Sequence, residues 1–362
     1  MYFHKVYKYL FPIIYLNNDN LLVFKKGSFY ILDVNKSNFD FKCKIKLNIF
    51  IYIASCIPIV SRILRLTIRA SVKQNNNLLI FTFRNYIYEM DLINYTISNG
   101  FYLKHARPLN FEVIEGITNV DDGVYFGEYK SNPKKECVSI FKRQSKDIWE
   151  IVYTYPEGTI EHIHNIISDN YNDEVYILTG DFGNAAAIWK VRNNFEAVDS
   201  ILYGNQDCRS CILFPTKDGL IYATDSPFSQ NSIRILKNTT NNQWVSNEIC
   251  KINGPCIYGT KFNNDFIFST SVEGEGLNSN FFYNLFSIKR GNGILDNNVC
   301  VYKGNLNDGF HLIYKIKKDK LPYLIFQFGT ICFPSGEING NYLPMFQVGT
   351  IYNDMSTSIL KI

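Results

Sequence analysis

Short apolar runs rich in Ile, Val, Tyr and Phe recur along the chain, and Asn, Asp and Gly separate them. Such runs predict β-strands bounded by turns, whereas the 3.6-residue periodicity of amphipathic helices is nearly absent. The segment IPIVSRILRL is the one place where we expect a helical turn or two. The pattern therefore predicts an all-β protein.

Four of the strand segments align with one another: DGVYFGEY, DEVYILTGD, DGLIYATDSP and NDFIFSTSVEG. Their aligned aromatic residues, at intervals of 51, 46 and 46, are Tyr125, Tyr176, Tyr222 and Phe268. Weaker relatives of the same pattern add three further units, whose aligned residues are Phe24, Phe81 and Phe326. A repeat of about 40–50 residues in an all-strand chain is typical of a β-propeller with one four-stranded blade per repeat. We therefore predict a seven-bladed β-propeller, four antiparallel strands per blade, as a single domain over residues 1–362.

Polar residues gather at one end of the predicted blades. In the fourth unit we assign HIHNIIS, EVYILTG, AAIWKV and AVDSILY to strands A to D. Neighbouring strands run antiparallel, so the start of strand A and the end of strand B lie on the same rim. With GFHLIY assigned to the seventh strand A, this rim collects Arg62, Arg65, His105, Arg107, Glu128, Tyr129, His162, His164, Asp181, Arg209, Asp225 and His311. Long B–C loops in the third to sixth blades are expected to wall a cleft there.

The histidine pair in the fourth unit is the most distinctive feature of this rim. His162 and His164 are two residues apart at the head of a strand, so both side chains point to the same face. Asp181 follows the next strand, and Arg209 heads strand A of the neighbouring blade. A buried Arg209 would need an acidic partner, for which Asp225 or Asp181 is available. The pair is therefore either a packed element of the core or part of a site.

Composition and charge narrow the range of functions. The net charge is only +4 and no run of Lys and Arg is dense, which argues against nucleic-acid binding. No stretch reaches the roughly 18 apolar residues that a membrane-spanning helix needs. The nine cysteines are irregularly spaced, which indicates reduced thiols and a cytoplasmic protein.

Metal binding is not predicted by any spacing in the sequence. The one CxxC motif, Cys208 and Cys211, has no second pair, so we expect no zinc site and no cofactor. One alternative stays open: the two histidines, Asp181 and Asp225 offer imidazole and carboxylate ligands of the kind that suit a divalent cation such as zinc or manganese.

Several segments resemble sialidase-like BNR-repeat β-propellers of bacterial surface-polysaccharide gene clusters. They are the run HIHNIISDNYNDEVYILTGD, FGEY before it, ATDSP after it, and FPSGEINGNYLP near the end. The Asp-box of that family is reduced here to KRQSKDIW, with Trp149 in place, and seven units replace the usual six. The resemblance implies an oligo- or polysaccharide ligand rather than sialidase activity itself.

Three functional hypotheses follow. In the first, a polysaccharide lyase, Arg209 neutralises the carboxylate of a uronic acid and His162 or His164 removes the C5 proton. Tyr129 then protonates the leaving oxygen. The glycan would be bound by Glu128, Asp181, Asp225, Arg62, Arg65, His105, Arg107 and His311.

The second hypothesis is glycoside hydrolysis by paired carboxylates, Glu128 with Asp181 or Asp225. Their separation, about 5 Å or roughly 6.5–9.5 Å, would decide between retention and inversion. The third is a non-catalytic propeller that binds a glycan or a protein. An enzyme requires these side chains to converge on one open space, whereas a binding protein predicts that they are paired with one another.

Overall fold

The computed structural model describes residues 2–104, 106–180, 182–241, 243–276 and 279–362, most of which lie in or between β-strands. The first fourteen strands are β1 (Tyr2–Lys8), β2 (Phe11–Tyr15), β3 (Asn20–Lys25), β4 (Ser28–Asp33), β5 (Asn38–Lys44), β6 (Ser71–Lys73), β7 (Leu78–Phe83), β8 (Tyr86–Asp91), β9 (Phe101–Tyr102), β10 (Glu112–Ile114), β11 (Gly123–Gly127), β12 (Val138–Ser145), β13 (Ile148–Tyr155) and β14 (His162–Asp169). The second fourteen are β15 (Glu174–Gly180), β16 (Ala187–Arg192), β17 (Ala197–Tyr203), β18 (Ser210–Thr216), β19 (Gly219–Thr224), β20 (Asn231–Asn238), β21 (Trp244–Ile252), β22 (Cys256–Phe262), β23 (Asp265–Thr270), β24 (Asn298–Asn305), β25 (Gly309–Lys317), β26 (Thr330–Cys332), β27 (Tyr342–Val348) and β28 (Ser356–Lys361).

The strands form seven antiparallel sheets of four, which are the blades of a β-propeller. Blades 1 to 6 are consecutive: β2–β5, β6–β9, β10–β13, β14–β17, β18–β21 and β22–β25. Blade 7 combines β26, β27 and β28 with β1 as its outermost strand, and Val6 of β1 pairs with Ser358 of β28. The predicted seven-bladed fold is confirmed, and the ring closes by pairing the first strand with the last.

The second strand of each blade is buried on both faces because it lies between two neighbouring blades. In β15, for example, every residue after Glu174 is buried. The six aromatic residues that anchor the repeat in blades 1 to 6 are at most 2% exposed; they are Phe24, Phe81, Tyr125, Tyr176, Tyr222 and Phe268. The outermost strands, such as β5, are largely exposed. The aromatic residues recur in the sequence because each one occupies the same buried position between neighbouring blades.

The prediction for the seventh unit was wrong. Phe326 is not in a strand but ends a short helix, and the second strand of blade 7 is β27 instead. His311, expected on the functional rim, lies in β25, the exposed outer strand of blade 6, and its Nε2 contacts the Asp308 carbonyl oxygen at 3.0 Å. The cause is the long insertion between β23 and β24, which displaces the last blade from the regular repeat.

Four α-helices interrupt the strand pattern: α1 (Ile49–Cys56), α2 (Pro58–Ile63), α3 (Phe281–Phe286) and α4 (Tyr323–Phe326). Only α2 lies within the segment where helical turns were expected. The sequence of α1, IFIYIASC, is apolar all around, so its pattern did not reveal a helix. Its start is fixed by Asn48, whose side chain accepts a hydrogen bond from the Ile51 N–H at 2.9 Å.

The helices and the long loops lie at one end of the propeller. Helices α1 and α2 connect blades 1 and 2, α3 lies between β23 and β24, and α4 connects blades 6 and 7. Each segment leaves an outer strand or a second strand, so all of them emerge on the rim where the first strands begin. The tight turns between β3 and β4 and between β7 and β8, and the longer connections in blades 3 to 6, follow the prediction.

A cavity of about 570 Å³ occupies the central channel, and the innermost strands of all seven blades line it. Its charged lining residues are Arg65, Arg69, Glu112, Lys261 and Glu337. Within the described ranges, we find no helix whose length and apolarity suit it to crossing a membrane.

Candidate functional site

The histidine pair lies buried at the start of β14. The Nε2 atoms of His162 and His164 are 3.0 Å apart, and both side chains are at most 7% exposed. Each Nδ1 atom faces a backbone carbonyl oxygen, that of Lys130 at 3.1 Å for His162 and that of Ser210 at 2.8 Å for His164. A carbonyl oxygen only accepts hydrogen bonds, so both Nδ1 atoms carry the hydrogen. The rings thus join loop 128–137 of blade 3 to the first strand of blade 5.

A β-bulge and a glycine give His164 its position. The pairing of β14 with β15 shifts between Ile163 and Asn165, so that His164 is the extra residue of a bulge. A Cβ atom on Gly180 would lie 2.3 Å from Cε1 of His164. The TGD motif therefore needs glycine at this position because the imidazole ring packs directly against the backbone.

Cys211, Asp225 and Arg209 of blade 5 complete the buried group. Cys211 is the extra residue of the equivalent bulge in β18, and its thiol donates to Oδ2 of Asp225 at 3.4 Å. Nε of Arg209 donates to the same oxygen at 3.3 Å, which confirms the acidic partner expected for this arginine. Burial raises the pKa of the Cys211 thiol well above its ordinary value, and the charge of Asp225 adds to this effect. One donor atom each from His164, Cys211 and Asp225 lies within 4.8 Å of the others.

Tyr129 and Arg107 of blade 3 extend the group on the other side. The ring of Tyr129 lies 4.5 Å from that of His162, and the guanidinium of Arg107 lies over the Tyr129 ring at 5.3 Å from its centre. Burial raises the pKa of the Tyr129 hydroxyl. Burial, followed by the positive charge of Arg69, lowers the pKa of Arg107 to about 10. The sequence predicted these two residues on the same rim as the histidines, and the structure brings them next to the pair.

Other predicted site residues have structural contacts. Oε2 of Glu128 accepts a hydrogen bond from the Ser139 N–H at 2.9 Å, so this carboxylate anchors its own loop. Arg62 is fully buried in α2, where it pairs with Asp319 at 2.5 Å and with Asp354 at 3.1 Å.

Three predicted site residues do not contribute to the group around the histidine pair as described. Arg65 lines the central channel. His105 and Asp181 lie outside the described residues.

Cys211 is the member of the group that sequence reasoning missed. Its CxxC partner Cys208 instead directs its thiol to Oδ1 of Asn205 at 3.4 Å. Cys211 precedes Tyr222 by 11 residues, much as His164 precedes Tyr176 by 12, so the repeat alignment already contained a signal that the two positions are equivalent. The two bulges turn these equivalent side chains toward each other, and strict alternation along a strand does not predict bulges.

The side chains of the group are paired with one another or with the backbone. Arg209 pairs with Asp225, and both histidines bond to carbonyl oxygens. Mutual pairing is the arrangement expected for a binding protein, whereas the lyase hypothesis needed Arg209 directed at a substrate carboxylate.

Comparisons with known proteins give similarity in fold alone. No family model matches the sequence, and no curated protein matches it either. Among solved structures, the β-propeller domain of Cps50 (Swd1) from Myceliophteria thermophila has a TM-score of 0.57 at 7% identity, covering 100% of this chain and 99% of that one. The WD40 β-propeller domain of Doa1 has a TM-score of 0.51 at 10% identity and covers 99% and 93%. A chain of the Mitotic Checkpoint Complex has a TM-score of 0.55 at 8% identity and covers 100% and 94%.

These comparisons overturn the resemblance to sialidase-like propellers. The similar structures include the β-propeller domain of Cps50 (Swd1) and the WD40 β-propeller domain of Doa1, and none of the three is described as a sialidase-like or BNR-repeat propeller; identities of 7–10% extend to architecture only. The segments that suggested BNR repeats lie in the first two strands of blade 4, at the ends of the second strands of blades 3 and 5, and in the connection between the first two strands of blade 7, which are elements that any propeller with four-stranded blades contains. The hypothesis of a carbohydrate-active enzyme, whether lyase or hydrolase, is therefore wrong.

Proposed function

We propose that this protein is a non-catalytic β-propeller that binds a partner protein on the rim that carries the helices. Propellers of the WD40 type are typically scaffolds or protein-interaction domains, and one similar chain belongs to a structure named as a complex. The observation that carries the proposal is an apolar surface formed by insertions that the propeller itself does not need.

The first half of this surface is helix α1 with its flanks. Phe50 is 79% exposed and Ile49 is 62% exposed, and Tyr52 and Ile53 are each about half exposed. The helix contains no charged residue in its eight positions. Exposing large apolar side chains to water is unfavourable by roughly 1.5–3 kcal/mol each relative to burial, so a cluster of them indicates an interaction site.

The second half comes from blades 6 and 7. In α3, Phe281, Phe282 and Phe286 are each more than 60% exposed, and Tyr352 of the β27–β28 connection is 70% exposed. Helix α3 contacts α4, and α4 contacts α2. The β27–β28 connection also lies here, since Gly349 packs against the Phe328 backbone and Asp354 pairs with Arg62. Segments 49–64, 281–288, 323–328 and 351–352 are therefore neighbours, and we call them together the insertion face.

The chemistry of the insertion face favours a protein over a lipid surface. Membrane-surface helices combine an apolar face with a face rich in Lys and Arg, and α1 has no basic residue. The charges nearby include carboxylates, since Asp354 is 30% exposed and Glu275 accepts a hydrogen bond from the hydroxyl of Tyr283 in α3. Exposed Phe and Tyr surrounded by polar groups are typical of the centre of protein–protein interfaces.

The cysteines support the compartment proposed for this interaction. All nine are free thiols, so none forms a disulfide within the described part of the chain. We propose a reducing compartment, the cytoplasm, as the place where the partner is bound.

The test is a quantitative comparison of the proteins retained by three immobilised forms of the chain. The first is the unchanged protein, the second carries Phe50→Asp and Ile53→Asp on the insertion face, and the third carries Ile151→Asp. Ile151 is 58% exposed but lies on the outer strand β13, so it is a matched control. A partner retained by the first and third forms and lost from the second supports the proposal.

Two results would contradict it. One is retention of the same proteins by all three forms. The other is co-sedimentation of the unchanged protein with vesicles of phosphatidylcholine and phosphatidylserine, abolished by Phe50→Asp with Ile53→Asp, which would make the face a membrane-binding surface.

A further inference from the structure

We propose that His162, His164, Cys211 and Asp225 form a binding site for one zinc ion between blades 4 and 5. The proposal concerns the buried group at the channel end of these blades and is independent of the partner protein. It rests on the positions of four donor side chains, on the orientation of the two imidazole rings, and on the hydrogen bonds that surround them.

The donor atoms are already gathered in one place. Those of His164, Cys211 and Asp225 lie within 4.8 Å of one another, and Nε2 of His162 is 3.0 Å from Nε2 of His164. In a tetrahedral zinc site, bonds of about 2.0–2.3 Å put the ligand atoms roughly 3.3–3.8 Å apart. Bringing the donor atoms of His164, Cys211 and Asp225 to these separations takes an approach of about 1 Å, whereas the two Nε2 atoms, now 3.0 Å apart, must separate slightly; both are side-chain movements.

The two imidazole rings face each other in an arrangement that either a shared proton or a metal ion can hold. Both Nδ1 atoms donate to carbonyl oxygens, so both Nε2 atoms present a lone pair at 3.0 Å from each other. Two facing lone pairs repel unless a proton or a metal ion lies between the rings. Nδ1–H bonds to backbone carbonyls are also the contacts that orient histidine ligands in zinc sites.

Charge and donor chemistry favour zinc among the divalent metals. A thiolate from Cys211 and the carboxylate of Asp225 supply two negative charges beside Zn²⁺, so that the buried group, with the Arg209 guanidinium that pairs with Asp225, carries a net charge of +1. Nitrogen and sulfur ligands with one carboxylate suit zinc better than magnesium or calcium, which prefer oxygen ligands. Binding releases two protons to solvent: the thiol proton that lies between Cys211 and Asp225, and the proton that the two Nε2 atoms share in the metal-free protein.

The fourth-blade histidines and the fifth-blade ligands belong to separate sheets, so the ion would join two blades. Such a link adds binding free energy to the folded state only, because the unfolded chain holds the four donors far apart. We therefore expect zinc to raise the midpoint of thermal unfolding of the full chain.

The experiment measures metal content and affinity of the full chain and three variants. Protein purified without added metal is analysed for zinc, stripped with a chelator, and titrated with Zn²⁺ against a chromophoric indicator and with Co²⁺ by absorption. We expect one equivalent of zinc and a thiolate-to-cobalt charge-transfer band. Cys211→Ser should abolish the band, and His164→Ala should weaken zinc binding at least tenfold.

Cys208→Ser is the matched control, since this buried thiol belongs to the same CxxC motif and lies outside the group. It should keep both the stoichiometry and the band, and circular dichroism verifies that each variant is folded. The proposal is overturned if the stripped protein binds no zinc, or if Cys208→Ser loses the band as fully as Cys211→Ser. It is also overturned if the histidine nitrogen resonances of metal-stripped protein are unchanged by Zn²⁺, because a shared proton alone then holds the two rings.

Discussion

Replacing Arg62 with Met should detach the insertion face from the propeller. The Arg62 guanidinium is fully buried and links three segments: it bonds to Asp319 at 2.5 Å, to Asp354 at 3.1 Å and to the Phe326 carbonyl oxygen at 2.5 Å. Methionine fills similar space but offers no donor. Both carboxylates would then lose their arginine partner, and the carbonyl would lose its donor, whereas Asp319 keeps Lys318 and Asp354 keeps the Gly349 N–H.

The magnitude follows from the burial of these groups. Removing one member of a buried ion pair costs about 3–5 kcal/mol, because the remaining charge stays desolvated. Asp319 is 13% exposed and Asp354 is 30% exposed, so water reaches both in part. We therefore expect Arg62→Met to lower the free energy of unfolding by about 3 kcal/mol, the lower end of this range. The control is Arg192→Met: Arg192 pairs with Asp199 at the same 2.5 Å, but both side chains are more than half exposed, so the loss should be at most about 1 kcal/mol.

Urea unfolding of the three proteins measures the global effect, and limited proteolysis within residues 49–64 detects local release of α1 and α2. Equal stability losses in Arg62→Met and Arg192→Met, with no new cleavage in that segment, would refute the reasoning.

The effect of Arg62→Met on stability should also depend on pH. Burial alone would raise the pKa of Asp319, but hydrogen bonds from Arg62 and Lys318 outweigh it and hold the pKa below its ordinary value. Stability from this carboxylate is present above its unfolded-state pKa and is lost as the pH falls through the folded pKa, so the gap between wild type and Arg62→Met should narrow below about pH 4.

Two further predictions concern the channel and the histidine pair. Burial raises the pKa of Glu112 to about 7 against the effect of hydrogen bonds from Ser168. The folded chain therefore keeps this proton to higher pH than the unfolded chain, and Glu112→Gln should gain thermal stability relative to wild type between pH 5 and 8; a pH-independent difference would contradict this. Gly180→Ala should displace His164, which lies 2.3 Å from the added Cβ, and nuclear magnetic resonance of the histidine nitrogens should show the loss of the contact with His162. Unchanged resonances would show that the backbone yields instead.

The fold could be predicted from the sequence because packing between blades repeats. Tyr125, Tyr176 and Tyr222 occupy the same buried position in successive blades, so the chain displays the period directly. The seventh blade could not be predicted in the same way. The α3 insertion lengthens blade 6, and β27 has the sequence YLPMFQV, whose Pro344 and Gln347 obscure the strand pattern.

The candidate site could be predicted only in part. The two-residue spacing predicted that the rings of His162 and His164 lie together, although a bulge at His164 sets the position of that ring, and the charge of Arg209 in an apolar run implied an acidic partner such as Asp225. Cys211 was not foreseen, because a bulge rather than alternation turns its side chain toward Asp225. The function was misjudged for a related reason: buried polar side chains at the rim suggested chemistry, whereas the structure pairs them with one another.

Helix α1 escaped detection because an apolar run of eight residues fits a buried strand as well as a helix. Its exposure, and hence the insertion face, is visible only once the seven blades are in place. A sequence pattern indicates which side chains tend to be buried, but it does not show that Phe50 remains 79% exposed in the folded chain.

The most direct test of the central claim is hydrogen–deuterium exchange of the full chain with and without a partner protein identified by retention on the unchanged form. Binding on the insertion face predicts slower exchange at the amides of residues 49–64 and 281–288, with no change in the outer strand β13. Protection confined to the outer strands or to the opposite rim, with segments 49–64 and 281–288 exchanging as before, would contradict the account.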